Sequence, residues 1–404
     1  MLMCVQALHA QDFWQPVLPS AAVIKLASNS QGHIFATSDS GVYRSTDGGT
    51  IWVQVNSGLP FPSLALAINP LNDELFVASG SRIYRSTNNG ESWVLQNSTT
   101  FPFGVWRLAL NNQGTLFAGG NSGGDSLRRS TDNGITWTIM SNGLPPGIQD
   151  IQIHSNSDLY VGIKNNWVFR STDNGYNWSA LVNPGPSPDA DAIAFGTSEL
   201  YVGDDGRGFF KSTDGGSSWA QLNSGLPTDA YGAVYVWALA VSSEGHLFAG
   251  LPRDGIYRST NDGAQWDSIN TGLDSLSRRI YALLIAPSGH IFAGTTHGLY
   301  RSTQAVTHVG DDLNNLVTQY SLFQNYPNPF NPSTVIRYAV HYHSKIILKV
   351  YDLLGQEVTT LQNGFKQAGT YEVEWNTGTL PSGMYFYRLQ ADEFSETKKL
   401  MLLR

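Results

Sequence analysis

The segment STDGGTIW, from Ser45 to Trp52, indicates the fold because similar segments recur along the chain. We call each complete copy a box. The other boxes are STNNGESW from Ser86, STDNGITW from Ser130, STDNGYNW from Ser171, STDGGSSW from Ser212 and STNDGAQW from Ser259. A further start, RSTQ at Arg301, lacks the glycine and the tryptophan. Successive boxes begin 41 to 47 residues apart, which is the period of a four-stranded propeller blade rather than of a helical repeat.

A second pattern precedes every box. Apolar residues alternate with other residues on both sides of a short turn, as in LALNNQGTLFAG from Leu108 and ALLIAPSGHIFAG from Ala282. Alternation with a period of two across a turn predicts a β-hairpin, and the chain contains seven such copies. We assign these hairpins to the inner strands A and B of seven blades. Strand C then precedes each box, and strand D begins at its tryptophan.

The blade count predicts how the ring closes. Seven hairpins but six complete boxes leave one blade without its outer strand. Residues 13–17, FWQPV, precede the first hairpin and carry a tryptophan without a box. We therefore predict that this segment pairs with Gly298 to Ser302, the last strand C. Closure of this kind removes an open sheet edge that could pair with other chains.

Composition fits an all-β protein and excludes several classes. Of 404 residues, 41 are glycine, 12% are aromatic and only 14% are charged, which favours short strands and tight turns over helices. A net charge of -8 offers no basic face for nucleic acid. The single cysteine, Cys4, excludes a disulfide or a cysteine-based metal site within one copy, and we expect neither a metal nor a cofactor. The sequence shows no apolar run long enough to span a membrane.

Composition shifts divide the chain into four segments. Residues 1–10, MLMCVQALHA, end in a small residue and are interpreted as the remnant of a secretory signal peptide. Residues 11–306 contain the propeller repeats, and residues 307–320 form a polar linker. Residues 321–404 contain short strand patterns at spacings of about ten residues, which predict a small immunoglobulin-like β-sandwich.

The box resembles the Asp-box, or BNR, repeat of sialidases, sortilin-type receptors and xyloglucanases. The resemblance implies a turn between the two outer strands, in which the acidic or amide side chain accepts backbone N–H bonds. It also implies that the tryptophan packs between blades. Asn can replace Asp in such a turn because an amide oxygen accepts the same bonds, so we interpret these residues as structural. They are Asp47, Trp52, Asn88, Trp93, Asp132, Trp137, Asp173, Trp178, Asp214, Trp219, Asn261 and Trp266.

Three motifs near the C-terminus occur in a fixed order: YPNPFNP from Tyr326, YDLLG from Tyr351 and SGMYFY from Ser382. They resemble the type A C-terminal sorting domain of the type IX secretion system. The resemblance implies an outer-membrane translocon as a partner, and a final location at the cell surface or outside the cell. The sorting motif residues are Pro327, Asn328, Pro329, Phe330, Asn331, Pro332 and Gly383.

A binding function is predicted for the connections on one face of the propeller. The D-to-A and B-to-C connections emerge on the same face, which we call the loop face, and binding residues concentrate on such connections. The A-to-B turns and the boxes emerge on the opposite face, the box face. The sequence favours a non-catalytic module for a glycan or a protein, and the alternative is a polysaccharide-active glycoside hydrolase that uses loop-face aspartates. The candidate ligand-binding residues are Trp106, Trp167, Asp204, Asp205, Tyr231, Tyr235, Trp237, Arg253 and Tyr281.

Overall fold

The computed structural model describes residues 12–19, 21–96, 101–120, 126–140, 143–185, 189–306, 320–340, 344–366, 369–378, 380–391 and 394–403. The interpreted signal remnant and residues 307–319 of the predicted linker lie outside these ranges. The chain separates into two compact units, Met1–Val309 and Gly310–Arg404.

The first unit is a seven-bladed propeller, which confirms the predicted fold class. Its first strand is β1 (Trp14–Pro19). Blade 1 contains β2 (Val23–Ser28), β3 (Ile34–Ser38), β4 (Gly41–Ser45) and β5 (Val53–Gln54), and blade 2 contains β6 (Ala65–Ile68), β7 (Leu75–Ser79), β8 (Arg82–Ser86) and β9 (Val94–Leu95). Blade 3 contains β10 (Val105–Leu110), β11 (Leu116–Gly120), β12 (Leu127–Ser130) and β13 (Thr138–Ile139), and blade 4 contains β14 (Ile148–Ile153), β15 (Leu159–Ile163), β16 (Trp167–Ser171) and β17 (Ser179–Ala180).

The remaining blades follow the same plan with two additions. Blade 5 contains β18 (Ala192–Phe195), β19 (Leu200–Gly206), β20 (Gly208–Ser212) and β21 (Ala220–Gln221), and a short strand β22 (Val234–Tyr235) pairs with the end of β19. Blade 6 contains β23 (Ala238–Val241), β24 (Leu247–Leu251), β25 (Gly255–Ser259) and β26 (Asp267–Ser268). A 3-10 helix, Ser275–Arg278, precedes blade 7, whose strands are β27 (Ile280–Ile285), β28 (Ile291–Thr295) and β29 (Gly298–Ser302).

The N-terminal strand completes blade 7, as predicted. β1 runs antiparallel to β29, with Trp14 opposite Ser302 and Pro19 opposite Gly298. Trp14 is only 1% exposed, and its indole Nε1 donates to the carbonyl oxygen of Ile269 in blade 6 at 2.6 Å. The two ends of the repeat region therefore close one ring. Strands A of consecutive blades adjoin around it and surround a central channel.

Each box forms a compact turn held by its own side chains. In blade 1 the Ser45 hydroxyl donates to Asp47 at 2.8 Å and accepts from the N–H of Gly49 at 2.9 Å, while Asp47 accepts from the N–H of Ile51 at 2.9 Å. Gly49 has a φ of +87°, and a Cβ there would lie 2.3 Å from Cε1 of Phe292 in blade 7. Only glycine allows the turn to pack this closely against the neighbouring blade.

The boxes with asparagine make the same bonds. Asn88 accepts from the N–H of Ser92 at 3.0 Å, and Asn261 accepts from the N–H of Gln265 at 2.9 Å. The side-chain oxygen, rather than its charge, is therefore what the turn requires.

The box carboxylates predict a dependence of stability on acid pH. Hydrogen bonds from the side chains of Asn177 and Ser218, followed by those from the backbone N–H groups of the same residues, lower the pKa of Asp173 and of Asp214, the latter to about 2. A pKa that is lower in the folded state stabilises the fold above the unfolded value of 3.8, and that contribution is lost as pH falls from 3.8 towards 2. We expect the Tm of an Asp173→Asn/Asp214→Asn double variant to fall less than that of the parent between pH 4 and pH 2. Equal slopes in thermal denaturation across this range would contradict this expectation.

Five of the six box tryptophans fall into two groups according to the hydrogen bond that the indole donates. Trp93, Trp178 and Trp266 donate from Nε1 to a carbonyl oxygen of the preceding blade, at 2.7, 2.9 and 2.9 Å. Trp52 and Trp137 donate instead to the glycine carbonyl of their own box, at 3.1 and 2.9 Å. The first group therefore links blades 2, 4 and 6 to the blade before each of them by a hydrogen bond. Trp14 of β1 makes the same kind of bond from blade 7 to blade 6.

The second unit is a small sandwich of two antiparallel sheets. One sheet contains β30 (Ser321–Leu322), β31 (Ser333–Val340) and β34 (Gly369–Asn376). The other contains β32 (Ser344–Tyr351), β33 (Glu357–Lys366), β35 (Gly383–Ala391) and β36 (Phe394–Leu402). Their inner faces form one core that includes Tyr338 and Tyr387, and Phe330 of the sorting motif belongs to it at 2% exposure. Asn328, from the same motif, accepts from the N–H of Met401 at 2.9 Å.

Candidate functional site

Three aromatic residues occupy one register position in three blades. In blades 3, 6 and 7, a glycine of strand B pairs with a residue of strand A: Gly119 with Arg107, Gly250 with Ala238 and Gly294 with Ala282. The residue just before each of these strand-A partners is aromatic, and these residues are Trp106, Trp237 and Tyr281. Strand A begins on the loop face, so these residues, which we call the mouth aromatics, border the loop-face end of the central channel. Blades 3 and 6 are three steps apart in a ring of seven, so Trp106 and Trp237 lie on nearly opposite sides of the channel mouth.

Neighbouring side chains fix the orientation of Trp237. Its ring stacks on Tyr281 with centroids 6.3 Å apart and an interplanar angle of 19°. The guanidinium of Arg279 lies 5.3 Å from the Trp237 ring centroid, and Asp205 accepts a 2.8 Å hydrogen bond from the indole Nε1. Trp106 differs because 45% of its side chain is exposed. One side of the mouth is therefore a preorganised aromatic surface, and the other is an open indole.

The connection between blades 5 and 6 forms a second cluster beside the mouth. Asp229 accepts from the N–H groups of Tyr231 and Ala233, at 2.8 and 2.9 Å, and from the Tyr235 hydroxyl at 2.8 Å. These bonds fold the connection so that β22 pairs with β19. Arg253 lies 5.8 Å from the centroid of the Tyr235 ring, and Tyr231 is 96% exposed. The structure thus brings Tyr231, Tyr235 and Arg253 to one part of the loop face.

Below the mouth, the channel contains two adjoining polar cavities. The smaller, of about 140 Å³, lies beside Trp237 and Tyr281, and the larger, of about 300 Å³, continues along the strands A of blades 2 to 4 towards the box face. Lys25, Arg107 and Asp150 line both parts of this channel cavity. These three charged residues occupy the register position that alanine fills in the other four blades, at Ala65, Ala192, Ala238 and Ala282.

The charges in the cavity are unevenly paired. Asp150 accepts from the N–H of Ile193 at 3.0 Å and faces the Arg107 guanidinium at 3.9 Å. Burial lowers the pKa of Lys25 to about 8, the positive charge of Arg107 acts in the same direction, and Asp150 opposes both. Among the residues that the structure describes, no hydrogen bond or ion pair engages the Lys25 ammonium. Of the two basic side chains in the cavity, Arg107 therefore has an acidic neighbour, and Lys25 has no direct partner among the described residues.

An acidic group borders the smaller part of the cavity. Asp189, Asp191 and Asp205 each offer a carboxylate oxygen, and these oxygens lie within 4.8 Å of one another. Within the described ranges, this is the group of side chains that could hold a cation. Burial, followed by the charges of Asp205, Asp189 and Asp204, raises the pKa of Asp191 to about 8, against the influence of Arg107. Asp191 also accepts a hydrogen bond from the Gln149 side chain at 3.1 Å.

Two of the predicted ligand-binding residues are buried, and the prediction was wrong for them. Trp167 has no exposed surface, since its ring packs edge-on against Phe210 and Trp219 with centroids 5.2 Å away in both cases. Asp204 is 1% exposed, and its carboxylate accepts from the Arg207 side chain at 2.9 Å and from the N–H of the same residue at 2.8 Å. Both residues support the loop face from below and do not present a surface to a ligand.

Family models match most of the chain. The model described as the DUF6242 beta propeller domain matches residues 3–248. The chain belongs to this DUF6242 family. The model of the secretion system C-terminal sorting domain matches residues 324–403 of the same chain. That domain directs the DUF6242 protein through the type IX system to the cell surface or the extracellular space. No helix among the described residues is both long and apolar enough to cross a bilayer.

Solved structures similar to the DUF6242 protein are also propellers. One is the extracellular domain of a protein described as a one-component system of B. thetaiotaomicron, with 17% identity, a TM-score of 0.61 and coverage of 80% of this chain and 45% of that chain. A second is the GH74 xyloglucanase of Xanthomonas campestris, with 19% identity, a TM-score of 0.61 and coverage of 81% and 59%. A third is PorZ, a surface component of the type IX secretion system of Porphyromonas gingivalis, with 17% identity, a TM-score of 0.53 and coverage of 94% and 59%.

These similarities show the fold of the DUF6242 protein. The chain covers less than two thirds of the length of each of the three structures. No curated protein sequence matches it.

The charged lining of the DUF6242 channel was not predicted from the sequence. Lys25, Arg107 and Asp150 are single charged residues in or next to the apolar segments of strands A, and no motif marks them. Aligning the seven strands A by their B-strand partners would have found them, because the other blades carry alanine at that position. The same alignment would have grouped Trp106 with Trp237 and Tyr281.

Proposed function

We propose that the propeller is an exported, non-catalytic binding module whose loop face binds a glycan at the channel mouth. The observation that carries the proposal is the placement of Trp106, Trp237 and Tyr281 at one register position around the mouth. Flat aromatic rings offer large apolar area at little entropic cost, and they suit the C–H faces of sugar rings. An indole that is 45% exposed, as at Trp106, contributes little to a core and is available to a ligand. We also propose that the boxes are Asp-box repeats, as their resemblance to those repeats implies.

A polypeptide ligand is the second kind of partner that this surface suits. The ordered connection with Tyr231, Tyr235 and Arg253 extends the aromatic surface away from the channel, and tyrosine and arginine are common in protein interfaces. We favour the glycan because Trp237 and Tyr281 line a cavity rather than a flat patch.

One observation favours the alternative of a glycoside hydrolase. Asp191, with its raised pKa, would be protonated at neutral pH beside Asp189 and Asp205, which is the charge state that a general acid needs. Hydrolases, however, place their two carboxylates about 5 to 10 Å apart on opposite sides of the scissile bond. Here the oxygens lie within 4.8 Å of one another on one side of the cavity. The geometry therefore favours binding over hydrolysis.

A polysaccharide panel tests the proposal with the full-length chain. We expect retention of at least one polysaccharide without release of reducing ends. Trp106→Ala should weaken that retention about five- to tenfold, because stacking on an exposed indole is worth about 1 to 1.4 kcal/mol. Tyr176→Ala is the matched control, since Tyr176 is 56% exposed but stands in a box on the opposite face.

Two results would decide against the proposed module. Release of reducing ends that Asp191→Asn abolishes would establish the hydrolase. Retention of polypeptides but of no polysaccharide in the panel would establish a protein-binding surface instead.

A further inference from the structure

We infer that the channel cavity is a carboxylate-binding subsite, and that the loop face takes an acidic polysaccharide by placing one uronic acid residue in it. The inference rests on the proposed function, because it identifies the ligand class of the same face. It is carried by Lys25 and Arg107, which we call the basic pair, and by the position of the pair directly below the mouth aromatics.

The first argument is that Lys25 has no anion in direct contact. Asp150 faces Arg107 at 3.9 Å, and Asp191, the other acid that acts on Arg107, has its pKa raised by burial to about 8 and so adds little negative charge at neutral pH. Lys25 makes no hydrogen bond or ion pair with any residue that the structure describes. A lysine ammonium in such a cavity costs folding free energy unless an anion accompanies it. A ligand carboxylate would supply the missing anion.

The second argument is positional. At the register position of Lys25 and Arg107, four of the seven blades carry alanine, both in regular strands and, at Ala282, in a strand with the same bulge. The fold therefore does not require a charge there. Arg107 is also held in place, since its guanidinium donates to the carbonyl oxygens of Gln149 and, at 3.0 Å, of Trp106. One member of the pair is thus preorganised beside an exposed aromatic residue.

The third argument concerns size and surroundings. A cavity of about 300 Å³ is at the lower end of the range for ligand pockets and suits one sugar residue or one side chain. The adjoining smaller part extends to Trp237 and Tyr281, so a group whose carboxylate reaches the basic pair has aromatic rings beside it. A uronic acid combines a carboxylate with an apolar ring face and fits both features. An acidic amino acid offers the carboxylate but no ring.

The test uses the full-length protein and two forms of one polymer. Isothermal titration calorimetry would compare polygalacturonate with its fully methyl-esterified form, which keeps the sugar ring and removes the charge. We expect the acidic form to bind at least about tenfold more tightly, a difference of about 1.4 kcal/mol that one hydrogen bond between charged partners can supply. Alginate and hyaluronan, which present other uronic acids, complete the acidic set.

Two variants and one matched control locate the subsite. Lys25→Gln and Arg107→Gln should each remove most of the preference for the acidic polymer. Lys164→Gln removes the same charge from an exposed residue on a B-to-C connection of the loop face, outside the cavity, and should leave the preference intact. Lys25→Gln should also keep or raise the Tm, because the ammonium has no partner to lose, so a folding defect will not obscure the result.

The outcomes separate this inference from the proposed function. Equal binding of the acidic and esterified polymers, with both weakened by Trp106→Ala, would overturn the inference and leave the glycan-binding module in place. Binding of neutral polysaccharides but of none of the three acidic ones would do the same. Binding of polyglutamate that depends on Lys25, with no binding of any polysaccharide, would overturn both in favour of an acidic polypeptide.

Discussion

A chain without residues 12–19 is expected to lose the cooperative unfolding of the propeller and to form oligomers. This deletion removes β1, so β29 loses its antiparallel partner from Gly298 to Ser302 and presents an open edge. It also removes Trp14 from a core that includes Ile269, Leu273 and Tyr300. The loss of one buried tryptophan alone costs about 3 to 5 kcal/mol, a large part of the stability of a typical domain.

Thermal denaturation and light scattering would measure this effect. The control is a chain that lacks only residues 1–11 and keeps β1, which should retain the Tm and the mass of the parent. An unchanged Tm and no new oligomers in the longer deletion would show that β1 does not hold the ring closed.

Trp266→Ala is expected to lower the free energy of unfolding by about 3 to 5 kcal/mol. The Trp266 side chain is 1% exposed and packs edge-on against Phe209, with ring centroids 4.9 Å apart. Its indole Nε1 donates to the carbonyl oxygen of Leu222 at 2.9 Å. The substitution removes the ring from the interface between blades 5 and 6 and leaves a cavity and an unpaired carbonyl. Urea unfolding followed by fluorescence and circular dichroism would give the free energy directly.

Two comparison variants divide this effect into its parts. Trp266→Phe keeps an aromatic ring but removes the donor, so much of the packing should survive, and the loss should be about 1 to 2 kcal/mol. Trp52→Ala should cost less than Trp266→Ala, because Trp52 is half-buried and bonds within its own box. If Trp52→Ala and Trp266→Ala lowered the free energy of unfolding equally, the hydrogen bond from Trp266 to the neighbouring blade would add no stability beyond that of a bond within the box.

The fold could be predicted because its determinants are local and repeated. The period of the boxes, the alternation in the hairpins and the unpaired segment around Trp14 each depend on residues that are close in sequence. Together they fix the number of blades and the closing strand. The pairing of β1 with β29 followed from the absence of a seventh box.

The site could be predicted only in part because it forms across the ring. Trp106 and Trp167 look alike in sequence, each near a connection on the loop face. Trp167 begins β16 with a φ of +68°, and its ring packs against blade 5, whereas Trp106 stands at a bulge of β10 and remains exposed. Lys25, Arg107 and Asp150 come from three blades, and no feature of any one repeat places them in a common cavity. Convergence of this kind depends on ring geometry.

The closing strand also sets an order of events during synthesis. Phe13 and Thr303 are hydrogen-bonded neighbours in the ring although 290 positions separate them in the chain. β1 is therefore synthesised before the strands of blades 1 to 7 but can pair only after β29 has been made, so the ring cannot close before blade 7 is complete. Residue 303 nevertheless precedes the whole sorting domain at residues 324–403. The propeller has all the strands that it needs before the chain acquires its C-terminal export address.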